Sequence, residues 1–332
     1  MIMHPAVIAL LAGSIATLFL LLYATGYGIA ILRKWDLASG SELQLRLERR
    51  TYLITTILGY VFAFQLISLF LFIATTDALH GLFSGAMCAA GTLYADAWGY
   101  PALILKIVNF LLAGVWLILN YTDNQAFDYP LIKKKYLLLL CMTPLLLAEA
   151  AAQFQYFRLL NPEVITSCCG VLFSGDADAA PTDISRWAGL PLRTIFFIGM
   201  SSLFALGVYV HQHKGGGAGV YGAASLVMFV ISTIALISVF SLYIYELPTH
   251  HCPLCFLQSE YAYIGYPLYL TLFTGTIAGV GAGAIALFRK TASLSAIVPR
   301  IQKRLLVISI VSYGIYTAII SWKMIASNLN MG

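Results

Sequence analysis

Charge is what this sequence has least of. Asp, Glu, Lys and Arg make up 10% of its 332 residues, against about 25% in soluble domains. Hydrophobic residues make up 60%. A soluble domain of this length has too little polar surface to cover that much apolar mass. Soluble enzymes, disordered chains and nucleic-acid binders are therefore excluded. Other absences narrow the field further. The glycine turn Gly215-Gly-Gly-Ala-Gly219 lacks the Lys-Ser/Thr that a phosphate-binding loop requires. No histidine falls in the middle of an apolar run, so no haem is expected within the membrane spans. The order His-Cys-x-x-Cys also reverses the one used for covalent haem attachment.

What remains is an all-α, polytopic membrane bundle whose natural partner is the lipid bilayer. Eight apolar runs cover about 7–32, 52–75, 101–121, 136–157, 192–210, 220–245, 266–288 and 305–325. Each is long enough to cross roughly 30 Å of hydrocarbon at 1.5 Å per residue. None shows the alternation of a membrane barrel strand. The runs take up most of the chain, so residues 1–332 are expected to form a single integral membrane domain. The first run is long, has nothing basic before it and is followed by Arg33 and Lys34. It reads as an anchor rather than a cleaved leader.

The basic residues orient the spans. Arg33, Lys34, Arg46, Arg49 and Arg50 sit on one connection, and Lys133, Lys134 and Lys135 on another. Lys214 sits on a third, and Arg289, Lys290, Arg300, Lys303 and Arg304 on a fourth. These four connections alternate along the chain and carry 14 of its 19 basic residues. Short loops rich in Lys and Arg stay in the cytoplasm. The chain is thus expected in the cell (inner) membrane with both termini outside, which in a bacterium with two membranes means the periplasm.

The cysteines follow that division. Cys88, the adjacent pair Cys168-Cys169, and Cys252 with Cys255 occupy the three long outer loops. Only Cys141 lies elsewhere, near the cytoplasmic end of the fourth span. Each outer loop ends in Gly-x-Pro: Gly99-Tyr100-Pro101, Gly189-Leu190-Pro191 and Gly265-Tyr266-Pro267. Proline suits a helix's first turn, where its missing N–H would be unpaired anyway. Loose echoes around the cysteines suggest helical-hairpin repeats of spans 2–3, 4–5 and 6–7. Chance likeness accounts for the echoes equally well.

The sharpest motif is His250-His251-Cys252-Pro253-Leu254-Cys255. Two intervening residues let both sulfurs meet across one turn, to form a disulfide or grip one ion. Cys-Pro-x-Cys resembles the redox frame of thioredoxin-like proteins in those four residues. The βαβ surroundings are missing, so that fold is excluded. A CxxC beside a span also resembles quinone-linked disulfide-forming membrane proteins and vitamin K epoxide reductases. Those have four-span cores, and the likeness covers under a tenth of this chain. Five outer cysteines are an odd number, which leaves one thiol over or implies a metal. Adjacent Cys168 and Cys169 cannot bridge each other without strain.

Three functions fit these features. The first is thiol–disulfide exchange with Cys252 and Cys255 as the primary pair, Cys88, Cys168 and Cys169 as relay, and a quinone as electron partner. The second is binding and transfer of a soft metal ion, copper or zinc, by Cys88, Cys168, Cys169, His250, His251, Cys252 and Cys255. The third is a non-catalytic subunit of a larger membrane complex or a dock for an extracytoplasmic protein. Inside the spans, Lys106 lies about 8 Å and Glu149 about 12 Å from their outer ends, so the two can meet. Asn109 is one turn from Lys106. Intramembrane charges usually face the bundle interior, so the pair reads as a proton path or a polar quinone pocket. The plain alternative is that Lys106 snorkels to the interface. The outer tyrosines and tryptophans read as an interfacial belt, and the glycines at 275, 279, 281 and 283 as a close helix contact.

The orientation is directly testable. An impermeant thiol reagent should label a variant whose only cysteine is Cys168 in intact cells. Labelling only after lysis and reduction would reverse the orientation.

Overall fold

A computed structural model of the chain describes residues 3–35, 41–166, 190–213, 215–247 and 250–328. It is 82% helical, with no strand among the described residues. The helices are α1 (Pro5–Lys34), α2 (Glu42–Ala78), the short α3 (Ala89–Tyr94), α4 (Gly99–Asp123) and α5 (Ile132–Leu159). They continue with α6 (Leu190–Gln212), α7 (Ala218–Ala235), α8 (Ser241–Tyr245), α9 (Gly265–Ala286) and α10 (Ile297–Ala326). A π turn, Leu236–Phe240, joins α7 to α8 without a break. Eight of these segments are long and apolar enough to cross a membrane, one on each apolar run of the sequence. The Gly-x-Pro prolines fall where expected, with Pro101 and Pro267 third in α4 and α9.

The chain divides into two compact units. Residues 1–75, 96–161 and 288–298 form the first, and residues 76–95, 162–287 and 299–332 the second. In the first unit α5 packs on α4 and α1. Leu21, Ile54, Phe62, Trp116, Tyr136 and Leu146 lie within one buried apolar cluster there. The rings of Phe62 and Trp116 lie 4.8 Å apart.

In the second unit α7 packs on α9 and α6. The α7–α9 contact depends on small residues. A Cβ added to Gly222 would sit 3.0 Å from Gly283 Cα and 3.2 Å from the Gly279 carbonyl oxygen. One added to Gly279 would sit 2.2 Å from Ser225 Oγ. Helices in lipid gain no hydrophobic drive from each other, so close backbone approach supplies the attraction. Tyrosine hydroxyls of α10 then cross to backbone groups. Tyr313 donates to the Ser225 carbonyl at 3.0 Å and Tyr316 to that of Ser232 at 3.3 Å.

Gly222→Val should therefore pry α7 from α9 and cost about 1–3 kcal/mol, the usual range for overpacking. Gly219→Val, where an added Cβ meets nothing within 4 Å, should be nearly neutral. Thermal or denaturant unfolding in detergent checks the difference, and equal losses would remove the glycine contact as the cause.

Candidate functional site

Three cysteines meet in the second unit. The Sγ atoms of Cys88, Cys252 and Cys255 all lie within 4.8 Å of one another, and all three residues are buried. Cys88 and Cys252 are 164 positions apart, yet their sulfurs are 3.4 Å apart. That is a hydrogen-bond distance, well beyond the roughly 2.05 Å of a disulfide. Cys168 and Cys169 lie outside the described residues. Cys141, on α5, is exposed.

Local hydrogen bonds hold the two cysteine loops together. Cys88 directly precedes α3. The carboxylate of Asp77 accepts from the Ala89 N–H at 3.0 Å and from Gln258 Nε2 at 3.2 Å. Gln258 Nε2 also donates to the Met87 carbonyl at 2.7 Å. One glutamine thus clamps the Cys88 loop to the Cys252–Cys255 loop. The described segment after α5, ending at Thr166, is tied to the same place. The Thr166 N–H donates to the Ser84 carbonyl at 2.9 Å, and Thr166 Oγ1 to that of Gly91 at 3.0 Å. Beside this contact Gly85 has φ +87°, and a Cβ there would sit 2.1 Å from the Thr166 oxygen. Only glycine fits such a turn and so close an approach.

Aromatic rings wall the sulfurs. Tyr245 is buried and donates to the Cys252 carbonyl at 2.5 Å. Tyr269 donates to the Pro253 carbonyl. The Tyr245 ring stacks on Phe256 at 5.3 Å and meets Tyr261 edge-on at 4.7 Å. These tyrosines therefore do more than form an interfacial belt. Three of those read as belt residues line the cysteine loop. The histidines stand beside the site. The His250 ring meets Tyr245 edge-on at 4.4 Å, and His251 Nδ1 lies 3.2 Å from the Ile237 carbonyl, in the π turn. The Ile237 carbonyl can only accept, so Nδ1 carries the proton there. Neither histidine belongs to the group of mutually close ligand atoms.

Charge at the site concentrates on Cys252. Its thiol is pulled from the usual 9.0 down to about 4, chiefly by hydrogen bonds from Cys255 and then Cys88. Burial opposes this, and the Leu254 and Cys255 N–H groups add to it. The turn Cys255–Leu257 begins directly after Leu254. A reactive thiolate commonly owes its charge to an imidazolium or a helix N-terminus. Neighbouring S–H and N–H donors do that work instead. Tyr261, on the same loop, has its hydroxyl pushed up, first by burial and then by Cys255 and Glu260.

The second site named from sequence lies in the first unit. Lys106 Nζ donates to Glu149 Oε1 at 2.8 Å, and Lys106 is 1% exposed. It pairs inside the bundle rather than snorkelling. Gln65 Nε2 reaches both Glu149 oxygens, at 2.8 and 2.7 Å. Asn109 Nδ2 reaches Oε2 at 2.6 Å, and Ser68 Oγ takes a second bond from Lys106 at 3.0 Å. Sequence reasoning missed Gln65 and Ser68, although two polar residues a turn apart on an apolar helix were the available signal. It also missed a second buried pair. Lys135, grouped with the loop cations, lies in the first turn of α5, 2.7 Å from Asp123 Oδ2 and 3.1 Å from Asn120 Oδ1.

Comparison with protein-family models, curated proteins and solved structures finds no match for the chain.

The pKa of Cys252 is depressed in the folded state. Its thiolate therefore stabilises the fold fully above about pH 9 and loses that contribution as pH falls to about 4. Thiolate ultraviolet absorbance of reduced protein should show one group still ionised at pH 6 and lost near pH 4. Cys252→Ser should abolish it, and a signal gone already at pH 7 would contradict the site's electrostatics.

Proposed function

We propose that this membrane protein binds a soft metal ion at a thiolate centre made by Cys88, Cys252 and Cys255. The observation that carries this reading is the mutual approach of three buried sulfurs within 4.8 Å. Three thiolates about 2.3 Å from one ion stand about 4 Å apart. Soft sulfur donors favour ions such as Cu(I), and also suit Zn(II) given a fourth ligand. Cys168 and Cys169 are the sequence's candidates for that ligand. Burial favours a bound ion over exchange with a protein disulfide, since Cys252 is 1% exposed and exchange needs access to sulfur. The Cys255 and Cys88 hydrogen bonds favour the thiolate form of Cys252, the form that a metal binds. The alternating basic loops support an outer-face location for this centre, where it would take up or hand over the ion.

A second reading rests on the 3.4 Å contact between Cys88 and Cys252. With Cys252 as thiolate, this pair can close a disulfide, passing two electrons and the thiol proton to a membrane quinone.

Purified, reduced protein should bind one Cd(II) or Ag(I) probe per chain, with sulfur-to-metal charge-transfer absorbance for cadmium. Cys88→Ser, Cys252→Ser and Cys255→Ser should each weaken binding more than about tenfold, since even outer-shell changes cost that much. Affinity should fall as the pH drops, because protons compete with the metal for the sulfurs. Absence of a stoichiometric ion, together with reversible oxidation of the Cys88–Cys252 pair, would transfer the assignment to thiol redox chemistry.

A further inference from the structure

The first unit holds polar chemistry that the sulfur centre does not use. A carboxylate buried among helices needs one positive charge beside it, because neither water nor lipid will neutralise it. Lys106 supplies that charge to Glu149. Around them α4 contributes Asn109, α2 contributes Gln65 and Ser68, and the next turn of α5 contributes Gln153, which reaches Ser14 of α1 at 3.0 Å. Lys106 is the one charged group in contact with Glu149 among the described residues.

Two acceptors in this set are unused. Asn109 Oδ1 and Gln153 Oε1 are both buried without a donor. Asn109 cannot satisfy its oxygen by turning over while Glu149 is ionised. Its Nδ2 already serves two acceptors, Glu149 Oε2 at 2.6 Å and the Leu145 carbonyl at 3.3 Å. Once Glu149 carries a proton, the requirement reverses. The carboxyl becomes a donor, and a half-turn of the Asn109 amide presents Oδ1 to accept it. The site thus holds a ready partner for a hydrogen that the ion-paired state lacks.

We propose that Glu149 is a reversible proton-binding site, at which a proton and the Lys106 ammonium compete for one carboxylate. The proton forms an O–H bond on Glu149, the ion pair breaks, and the ammonium keeps its own protons. Lys106 retains Ser68 Oγ and the face of Phe72, 5.4 Å from its nitrogen. It lies five residues past Pro101, about 8 Å along the helix, so its stem can carry the charge toward the interface. Proton uptake therefore exchanges the Lys106 tie between α4 and α5 for one through Asn109. This site stands apart from the metal reading and does not depend on it.

Infrared difference spectra of the purified full-length protein across pH, with isotope-labelled glutamate, test the proposal. A carbonyl band of a buried, protonated glutamic acid should appear on acidification as a single titration and be absent in Glu149→Gln. In Lys106→Met the midpoint should rise by about one to three pH units, because the competing charge is gone. If Glu149→Gln does not fold, the Lys106→Met shift of the labelled band decides alone. A wild type that unfolds with no such band, or a midpoint unmoved in Lys106→Met, would make the pair a permanent structural latch and overturn the proposal.

Discussion

Within hydrocarbon no water is at hand to satisfy a polar atom, and each one left unpaired costs several kcal/mol. Much of the chain's architecture answers that constraint. Hydroxyls on the helices turn back to their own backbone: Thr55 bonds Thr51, Thr75 bonds Leu71 and Thr276 bonds Leu272. Buried tyrosines of the second unit find serines, as Tyr221 finds Ser309 at 3.0 Å. Lys106 and Lys135, the two buried lysines among the described residues, are each drawn to one carboxylate and one uncharged side chain. The few polar residues in apolar helices thereby become the points that specify which helices pair.

The same constraint shapes the sulfur centre. Thiols are weak hydrogen-bond partners, and three of them buried together leave a demanding pocket. The fold meets that demand with backbone. The Leu254 and Cys255 N–H groups point at Cys252, while Tyr245 and Tyr269 occupy the carbonyls of Cys252 and Pro253. Asp77 and Gln258 hold the two loops in register. Under the proposed function, a pocket prepared in this way would favour a bound ion, since the cost of assembling its ligands is met by folding. Its charge is concentrated on Cys252, whose thiolate the neighbouring S–H and N–H donors favour.

Much was legible in the order of the residues. The eight spans follow from run length and hydropathy, which are local properties set by bilayer thickness. The entry prolines, the glycine contact on α9 and the grouping of Cys88 with Cys252 and Cys255 were also readable. Cysteines on loops that join neighbouring spans have few other places to go. Lys106 and Glu149 were readable as a pair because helical rise gives depth directly.

Partners set by rotation about the helix axis were not readable. Depth says that Gln65, Ser68, Lys106, Asn109 and Glu149 share a level, but only packing decides which faces turn inward. Lys135 illustrates the limit. Composition marks it as one of three adjacent loop cations, and the first turn of α5 instead buries it against Asp123. The histidines illustrate it in the other direction, adjacent in sequence to Cys252 and yet outside its ligand group. Sequence alone determined the class of molecule and the level of each group in the bundle, because both depend on length and hydropathy. Tertiary structure alone decided which polar atoms touch, because a hydrogen bond is made over about 3 Å and chain order does not resolve that distance.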